Sequence, residues 1–123
     1  IQHVEAQTLE NRKLTLNLAI NYGGRSEIIQ AIRELFKEGI KQGLDSEAIN
    51  EELFAKYLFT AGQPDPDLVI RTSGEQRISN FLLWQSAYAE LYFTDTLWPD
   101  FGASEFRTAI LDYLKRSRRF GGI

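Results

Sequence analysis

Hydrophobic residues in the first third of the chain follow two different spacings. Between residues 14 and 20 they alternate with polar residues and end in Ala19-Ile20, a pattern that predicts a β-strand. From about Ser26 they recur every four residues, which predicts an amphipathic helix that ends near Gly39 and Gly43. The alternating residues are Leu14, Leu16 and Leu18, and the helical stripe consists of Ile28, Ile32, Phe36 and Ile40.

Short elements are predicted in the middle of the chain. Asp45 or Ser46 opens a helical turn, and Asn50 is suited to cap a further helix, because its side-chain oxygen can accept from the backbone of the first turn. Pro64 and Pro66 then mark a turn, since each proline biases the preceding residue away from helix.

The second half of the chain alternates strands and helices. Residues 68–71 and 90–93 are apolar runs typical of strands, and they are separated by a polar loop and a hydrophobic segment over residues 81–87. Trp98-Pro99 interrupts the pattern, and a last amphipathic helix follows. The apolar stripe of that helix consists of Phe106, Ala109, Ile110, Tyr113 and Leu114.

This alternation predicts an α/β fold, with a parallel sheet flanked by helices. The chain shows neither an internal repeat nor a linker, so residues 1–123 are interpreted as part of one domain. Three predicted strands make a small sheet, and parallel sheets normally have both faces covered. We therefore expect at least one sheet edge to meet further chain or a partner.

Composition narrows the class of protein. The chain has 123 residues, a formal charge of -3 and no cysteine, which excludes disulfides and thiolate metal sites. Its apolar runs are far shorter than the ~20 residues of a membrane helix. Position 1 is Ile rather than Met, so an N-terminal part is expected to be missing. Without a signal peptide pattern, we expect a cytoplasmic protein.

The polar loop after the second predicted strand is the best candidate for a binding site. Arg71 ends the strand, Arg77 and Ser79 follow, and the carboxyl ends of strands are where ligands bind in open α/β sheets. One guanidinium group can bind two phosphate oxygens at once and stays charged, which favours a phosphate or diphosphate ligand. Alternatively, Arg71 is solvated or ion-paired, and Ser79-Asn80 caps a helix that begins at Phe81.

Two further features allow more than one interpretation. Glu90 lies among hydrophobic residues, so it either ligates Mg²⁺ beside phosphates or forms an ion pair with Arg71 or Arg77. Gly23 and Gly24 precede a helix, where they either admit an anion to the backbone or serve only the turn.

A basic cluster near the C-terminus, residues 115–119, either attracts nucleic acid locally or is a solvated helix end that complements the dipole of the last helix. Nucleic-acid binding is disfavoured, because the chain is acidic overall and shows no basic stripe.

Several motifs together resemble the bacterial undecaprenyl diphosphate synthases, a family of cis-prenyltransferases. The resemblance extends in order over nearly the whole chain. The matching runs are Leu14-Thr-Leu-Asn17, Asn21-Tyr-Gly-Gly-Arg25, Asp67-Leu-Val-Ile-Arg-Thr72, Gly74-Glu75, residues 77–85, residues 87–93, Leu97-Trp-Pro-Asp100 and Arg118-Arg-Phe-Gly-Gly122. It implies the cis-prenyltransferase fold, here incomplete.

The implied activity is the sequential addition of isopentenyl diphosphate to farnesyl diphosphate, which makes the undecaprenyl carrier lipid of bacterial cell-wall (peptidoglycan) synthesis. The resemblance also implies a homodimer and contact with the membrane through the lipid product. It implies no nucleic-acid partner.

Particular residues match functional positions of the family. Arg71, Arg77 and Ser79 match residues that bind isopentenyl diphosphate, and Glu90 matches a carboxylate that helps to place Mg²⁺. Two further matches are Arg119 and Gly121, which belong to a C-terminal arginine-x-glycine element that reaches the diphosphate of the neighbouring subunit. Leu14 matches a position near the closed end of a hydrophobic tunnel.

One departure limits these implications. The N-terminal signature of the family, with its catalytic aspartate, does not occur here, so the chain is interpreted as the C-terminal portion of one domain without a catalytic residue. We expect the isopentenyl diphosphate subsite and the dimer surface, but no prenyl transfer by this chain alone. The alternative is a non-catalytic partner subunit of a heteromeric cis-prenyltransferase.

Overall fold

The computed structural model of the chain describes residues 2–117. Four α-helices lie in this part: α1 (Gln2–Thr8), α2 (Gly24–Gln42), α3 (Glu51–Ala55) and α4 (Ala103–Lys115). Two short 3-10 helices, Ser46–Ala48 and Trp98–Asp100, precede α3 and α4 respectively. The described residues therefore confirm an α/β architecture.

Strands β1 (Leu68–Arg71) and β2 (Glu90–Phe93) form a parallel pair, as the sequence predicts. In their register, Leu68 lies beside Glu90 and Arg71 beside Phe93. Because both strands run in the same direction, Arg71 lies at the carboxyl end of the sheet and Glu90 at the amino end. These two residues are thus separated by the length of the strands.

Helix α2 supplies the main packing surface. Its buried face has a period of three to four residues and contains Glu27, Ala31 and Leu35. Ala31 and Leu35 form the core together with Phe54 of α3 and Leu58 after it. Outside this face, the predicted apolar stripe is largely exposed, as at Ile32, Phe36 and Ile40.

Helix ends follow the local sequence signals closely. Asn50 Oδ1 accepts from the backbone N–H of Leu53 at 2.8 Å, and Asp45 Oδ1 accepts from that of Glu47 at 3.1 Å. Gly43 ends α2 in the left-handed conformation, with a φ of 64°, and its N–H donates to the Gly39 carbonyl. These caps confirm the predicted boundaries.

The strand predicted over residues 14–20 is wrong. The segment has no regular secondary structure, and its alternating leucines are exposed, Leu14 by 82%. A strand needs a neighbour to satisfy its backbone groups, and no strand within residues 2–117 pairs with this segment. Alternation alone therefore predicts the conformational preference but not the pairing.

The hydrophobic segment after the polar loop also differs from expectation. Residues 80–88 form successive turns instead of a helix that starts at Ser79-Asn80. Ser79, Asn80 and Leu82 have φ values of 47°, 64° and 44°, which are incompatible with a right-handed helix. Trp84 nonetheless reaches the core, where its ring centroid lies 4.6 Å from that of Phe54.

The chain exposes more surface than a compact monomer. Its accessible area is 10248 Å² at 14.1 kDa, whereas a compact monomer of that mass exposes ~6,700 Å². Among residues 2–117, no helix combines the length and the apolar character that crossing a bilayer requires.

Candidate functional site: the loop after strand β1

Arg71 is the last residue of β1 and is only partly buried. Its side chain forms no ion pair with any residue of the described range 2–117. A guanidinium in this setting keeps its full donor set for an incoming anion. The structure thus agrees with the expected position of this arginine at a carboxyl strand end.

The loop that follows Arg71 is fixed to the chain after β2. Ser73 N donates to Thr96 O, and Gly74 N donates to Thr94 O, each at 2.9 Å. Ser73 and Gly74 both have positive φ, 69° and 71° respectively. These bonds hold Ser73 and Gly74 against the chain that leaves β2.

Arg77 forms an ion pair with Glu75, two residues before it, and its side chain is 64% exposed. An exposed pair of this kind contributes little to stability, and either partner can exchange for another. Ser79 is also exposed. The loop therefore presents Arg77 and Ser79 to solvent, with Glu75 as the present partner of the arginine.

Asn80 joins this loop to the first turn of α2. Gly24 N donates to the Asn80 carbonyl at 2.7 Å, and Arg25 N donates to Asn80 Oδ1 at 2.9 Å. Asn80 thus caps a helix, as its residue type suggests, but the helix is α2, which precedes it by 55 residues in sequence. The hypothesis that it caps a helix from Phe81 is wrong.

The glycines before α2 allow this close approach. A Cβ on Gly23 would lie 2.7 Å from Asn80 Nδ2, and a Cβ on Gly24 would lie 2.9 Å from Leu83 Cγ. Since the Gly24 and Arg25 amides already bind Asn80, these two donors are not available to an anion. Of the two sequence interpretations, the structure supports the packing role.

A buried carboxylate lies one turn further along α2. Glu27 is 1% exposed, and it accepts from three donors: the Tyr22 hydroxyl, Phe59 N at 2.8 Å and Gln85 Nε2 at 3.1 Å. Gln85 also donates to Thr60 Oγ1 at 3.0 Å. We call Tyr22, Glu27, Phe59, Thr60 and Gln85 the polar hub.

Sequence reasoning missed the polar hub. Its only local signal is the acidic Glu27 on the hydrophobic face of the predicted helix, four residues before Ala31. Tyr22 is five residues from Glu27, but the other two donors, Phe59 and Gln85, come from distant segments that no local pattern connects. The hub ties α2 to residues 59–60 and to the turns that follow the candidate loop.

The Tyr22 hydroxyl is held in its neutral form. Burial raises the pKa of Tyr22 above its usual range, and the hydrogen bond to Glu27 raises it further. The ring of Tyr22 packs edge-to-face against Phe59 and Phe81, at centroid distances of 6.3 and 5.7 Å. Tyr22 is therefore placed to donate a hydrogen bond to Glu27.

Glu90 has a different partner from those considered in the sequence. Arg116 Nη1 donates to Glu90 Oε2 at 2.8 Å and to the Leu91 carbonyl at 2.9 Å, while Arg116 Nη2 donates to Asp112 Oδ2 at 2.6 Å. The hydrogen bond to Glu90 and then that to Asp112 raise the pKa of Arg116. The hypothesis that Glu90 pairs with Arg71 or Arg77 is therefore wrong.

A magnesium site is not assembled by the described residues. Within the range 2–117, no group of three or more His, Cys, Asp or Glu side chains is placed to hold a metal. Glu90 lies beside Leu68, three residues from Arg71 along the strands, a separation of ~10 Å at the rise of a β-strand. Glu90 and Arg71 therefore lie at opposite ends of the sheet.

The remaining predicted site residues are not brought to this loop. Leu14 lies in the exposed segment before α2, where Asn17 Nδ2 donates to Gln63 Oε1 at 2.6 Å. Arg119 and Gly121 lie outside the described residues.

The described chain has a groove of about 540 Å³ beside the exposed face of α2 and the residues that follow it. Its lining is almost entirely apolar and includes Phe36, Ile40, Leu44 and Ile49. Neither Leu14 nor the arginines line it. The groove is thus separate from the candidate loop.

Comparisons with known proteins agree on one family. A family model described as "Putative undecaprenyl diphosphate synthase" matches residues 1–121. The isoprenyl transferase of Clostridium tetani is 57% identical over 117 residues, which cover 95% of this chain and 46% of that protein. A ditrans,polycis-undecaprenyl-diphosphate synthase of Legionella pneumophila, specific for (2E,6E)-farnesyl diphosphate, is 54% identical over 97% of this chain and 50% of its own length.

Solved structures agree with this result. Lavandulyl diphosphate synthase from Lavandula x intermedia, in complex with dimethylallyl diphosphate, superposes with a TM-score of 0.91 and 40% identity over 98% of this chain and 52% of that one. A "probable undecaprenyl diphosphate synthase" from Campylobacter jejuni gives a TM-score of 0.79 at 40% identity, over 98% and 53% of the two chains.

The chain spans about half the length of the curated relatives that it matches. The family model nevertheless matches nearly the whole of this chain, and the backbone superposes closely on both solved structures. The chain therefore belongs to the undecaprenyl diphosphate synthase family of cis-prenyltransferases.

Proposed function

We propose that this chain carries the isopentenyl diphosphate subsite of a cis-prenyltransferase. The complete enzyme would add isopentenyl diphosphate sequentially to farnesyl diphosphate and so make undecaprenyl diphosphate, the carrier lipid of cell-wall synthesis. The observation that carries the proposal is Arg71, an arginine at the carboxyl end of β1 whose guanidinium has no ionic partner among residues 2–117.

The loop beyond Arg71 suits a diphosphate for chemical reasons. A diphosphate would attract Arg77 more strongly than the single carboxylate of Glu75 does, because it carries more charge and more acceptor oxygens. Ser79 is exposed beside it and can donate its hydroxyl proton. Two guanidinium groups and a hydroxyl would thus fix the head group and neutralise its charge.

The role of magnesium concerns the complete enzyme. Bound Mg²⁺ would neutralise diphosphate charge and so stabilise the leaving group. Glu90 offers one carboxylate for it, but residues 2–117 alone do not form a matching ligand set. The other ligands would come from the substrate or from protein groups outside this range, and Glu90 would have to be shared between the metal and Arg116.

The chain alone is proposed to be inactive in prenyl transfer. Support comes from its accessible area, which is about half as large again as the ~6,700 Å² of a compact monomer, and from the absence of the family's N-terminal signature. The purified 123-residue chain should incorporate no radiolabelled isopentenyl diphosphate into lipid. Incorporation above the level of a boiled sample would contradict this.

The resemblance to the family supports further proposals about the complete enzyme. We propose that it is a homodimer, that Arg119 and Gly121 contact the diphosphate of the neighbouring subunit, and that Leu14 helps to set product length near the closed end of the tunnel. The enzyme would work in the cytoplasm and meet the membrane through its lipid product. Analytical ultracentrifugation tests the dimer, and product chromatography of Leu14→Ala tests the effect on chain length.

The central test uses the full-length enzyme that contains this chain. Arg77→Ala should raise the KM for isopentenyl diphosphate by roughly 10- to 150-fold, because a hydrogen bond to a charged group contributes ~1.5–3 kcal/mol. Steady-state kinetics with each substrate varied in turn provide the measurement. The KM for farnesyl diphosphate should change little.

Lys56→Ala is the matched control, since it removes one positive charge from an exposed pair with Glu52. Its KM values should equal those of the parent enzyme. An unchanged KM for isopentenyl diphosphate in Arg77→Ala would refute the assignment of the subsite and would favour the alternative of a non-catalytic partner subunit.

A further inference from the structure

Unusual backbone conformations are concentrated at one place in the molecule. Within residues 2–117, the residues other than glycine with positive φ are Asn21, Ser73, Ser79, Asn80 and Leu82. Four of them lie in the candidate loop and the turns after it, and Asn21 lies two residues before Gly23, the first of the two glycines that contact Asn80. Such conformations persist only where the surroundings hold them, and they cluster at functional sites.

The first turn of α2 holds this backbone in place at its start. Asn80 uses two groups for this purpose, since its carbonyl accepts from Gly24 N and its side-chain Oδ1 accepts from Arg25 N. The two bonds satisfy two of the N–H groups that an α-helix leaves without partners at its N-terminus. Asparagine is also the residue besides glycine that best tolerates the left-handed conformation.

The first turn of α2 also holds the chain at Gln85, five residues after Asn80. Glu27 accepts from Gln85 Nε2 in the buried polar hub. Residues 80–85 are therefore fastened to one helical turn at both ends. Gly23 and Gly24 leave no space between the two segments, so the loop has little freedom to shift along the helix.

We propose that Asn80 is a positioning residue for the isopentenyl diphosphate subsite. It contributes no ligand to the diphosphate; it fixes the left-handed turn at Ser79 and thereby the place at which Ser79 and Arg77 meet the head group. This inference rests on the proposed function. It adds that the order of the subsite depends on the hydrogen bonds that attach Asn80 to α2.

Two substitutions in the full-length enzyme test this from opposite sides of the contact. Asn80→Ala removes the Oδ1 acceptor from Arg25 N, while Gly23→Ala places a Cβ where Asn80 Nδ2 lies at 2.7 Å. Each should raise the KM for isopentenyl diphosphate by roughly 3- to 10-fold, as expected for the loss of one neutral hydrogen bond. The KM for farnesyl diphosphate should stay close to the parent value, while the thermal unfolding midpoint should fall by only a few °C, as expected for the loss of one hydrogen bond.

Gly39→Ala is the matched control, because it makes the same change in the same helix at a position where the new Cβ would form an ordinary 3.5 Å contact with Leu44. Its KM for isopentenyl diphosphate should be unchanged. A merely structural role of Asn80 would raise the KM values of both substrates equally, and that result would overturn the inference.

Arg77→Ala, measured in parallel, separates the two claims. If Arg77→Ala raises the KM for isopentenyl diphosphate and Asn80→Ala does not, the positioning role fails while the subsite stands. If neither variant changes that KM, the subsite itself is wrong.

Discussion

Replacing Glu27 with alanine is the most informative perturbation of this fold. The carboxylate is almost fully buried and accepts hydrogen bonds from Tyr22, Phe59 N and Gln85 Nε2. A buried carboxylate is costly in itself, but the groups around it are arranged to donate to it. Its removal therefore leaves donors without partners and does not simply relieve a buried charge.

The magnitude follows from counting the donors that lose a partner. Phe59 N loses its acceptor entirely, and so does the Tyr22 hydroxyl, whereas Gln85 keeps its bond to Thr60. A fully buried donor left unsatisfied costs ~1–3 kcal/mol, and because both of these bonds are only partly buried, Glu27→Ala should lower the free energy of unfolding by roughly 1–4 kcal/mol. Since domains are stable by only ~5–15 kcal/mol, a large part of the stability would be lost.

Urea unfolding of the full-length enzyme, followed by far-UV circular dichroism, measures this change. Glu34→Ala is the control, because it removes a carboxylate from the same helix that pairs with Lys37 at the surface. The control should lower stability by no more than ~0.5 kcal/mol. If Glu27→Ala and Glu34→Ala had equal effects, the polar hub would not be the structural centre described above.

Two other variants test single contacts. Because the folded-state pKa of Tyr22 is raised, the stabilisation from its neutral hydroxyl is complete below the ordinary tyrosine pKa of ~10 and is lost as the pH rises above it. The unfolding free energy should thus fall more steeply at alkaline pH in the parent than in Tyr22→Phe, and parallel curves would contradict this. Arg116→Gln should lower stability by about 1 kcal/mol, since its bonds to Glu90 and Asp112 join β2 to α4 in a partly exposed setting. Lys56→Gln provides the comparison in the same urea titration, and an equal loss in both would show that Arg116 adds nothing beyond a surface pair.

Elements with local determinants were predictable from the sequence. The side chains of Asp45 and Asn50 cap helices within three residues of themselves, and both caps form as predicted. The long helix, the two strands and the last helix also follow from spacing alone, because a helix satisfies its own backbone and these strands carry apolar runs.

Features that depend on distant partners were not predictable in this way. The segment from Leu14 to Ile20 has the alternation of a strand, but pairing requires a neighbour that spacing cannot supply. Asn80 has the chemistry of a helix cap, yet the helix it caps is 55 residues away. Glu90 pairs with Arg116 of the chain after α4, and not with Arg71 or Arg77, which the sequence suggested.

The candidate site also has one part that the sequence predicts and another that it does not. The strand end at Arg71 follows from the apolar run before it, so its location could be predicted. The attachment of the loop to α2 depends on Gly23 and Gly24 meeting Asn80 and Leu83, which involves atoms far apart in sequence. The sequence thus indicates the chemistry of the ligand, while the fold determines how firmly the loop is held.

The extended segment before α2 has a consequence for handling this protein. Leu14, Leu16 and Leu18 alternate along a backbone that no strand of residues 2–117 pairs with, and their side chains lie in solvent, which is the arrangement that promotes intermolecular β-aggregation. Arg12 and Lys13 stand directly before this segment, and charge at the end of such a segment discourages self-association. Solutions of the chain should therefore aggregate more readily at salt concentrations that screen these two charges.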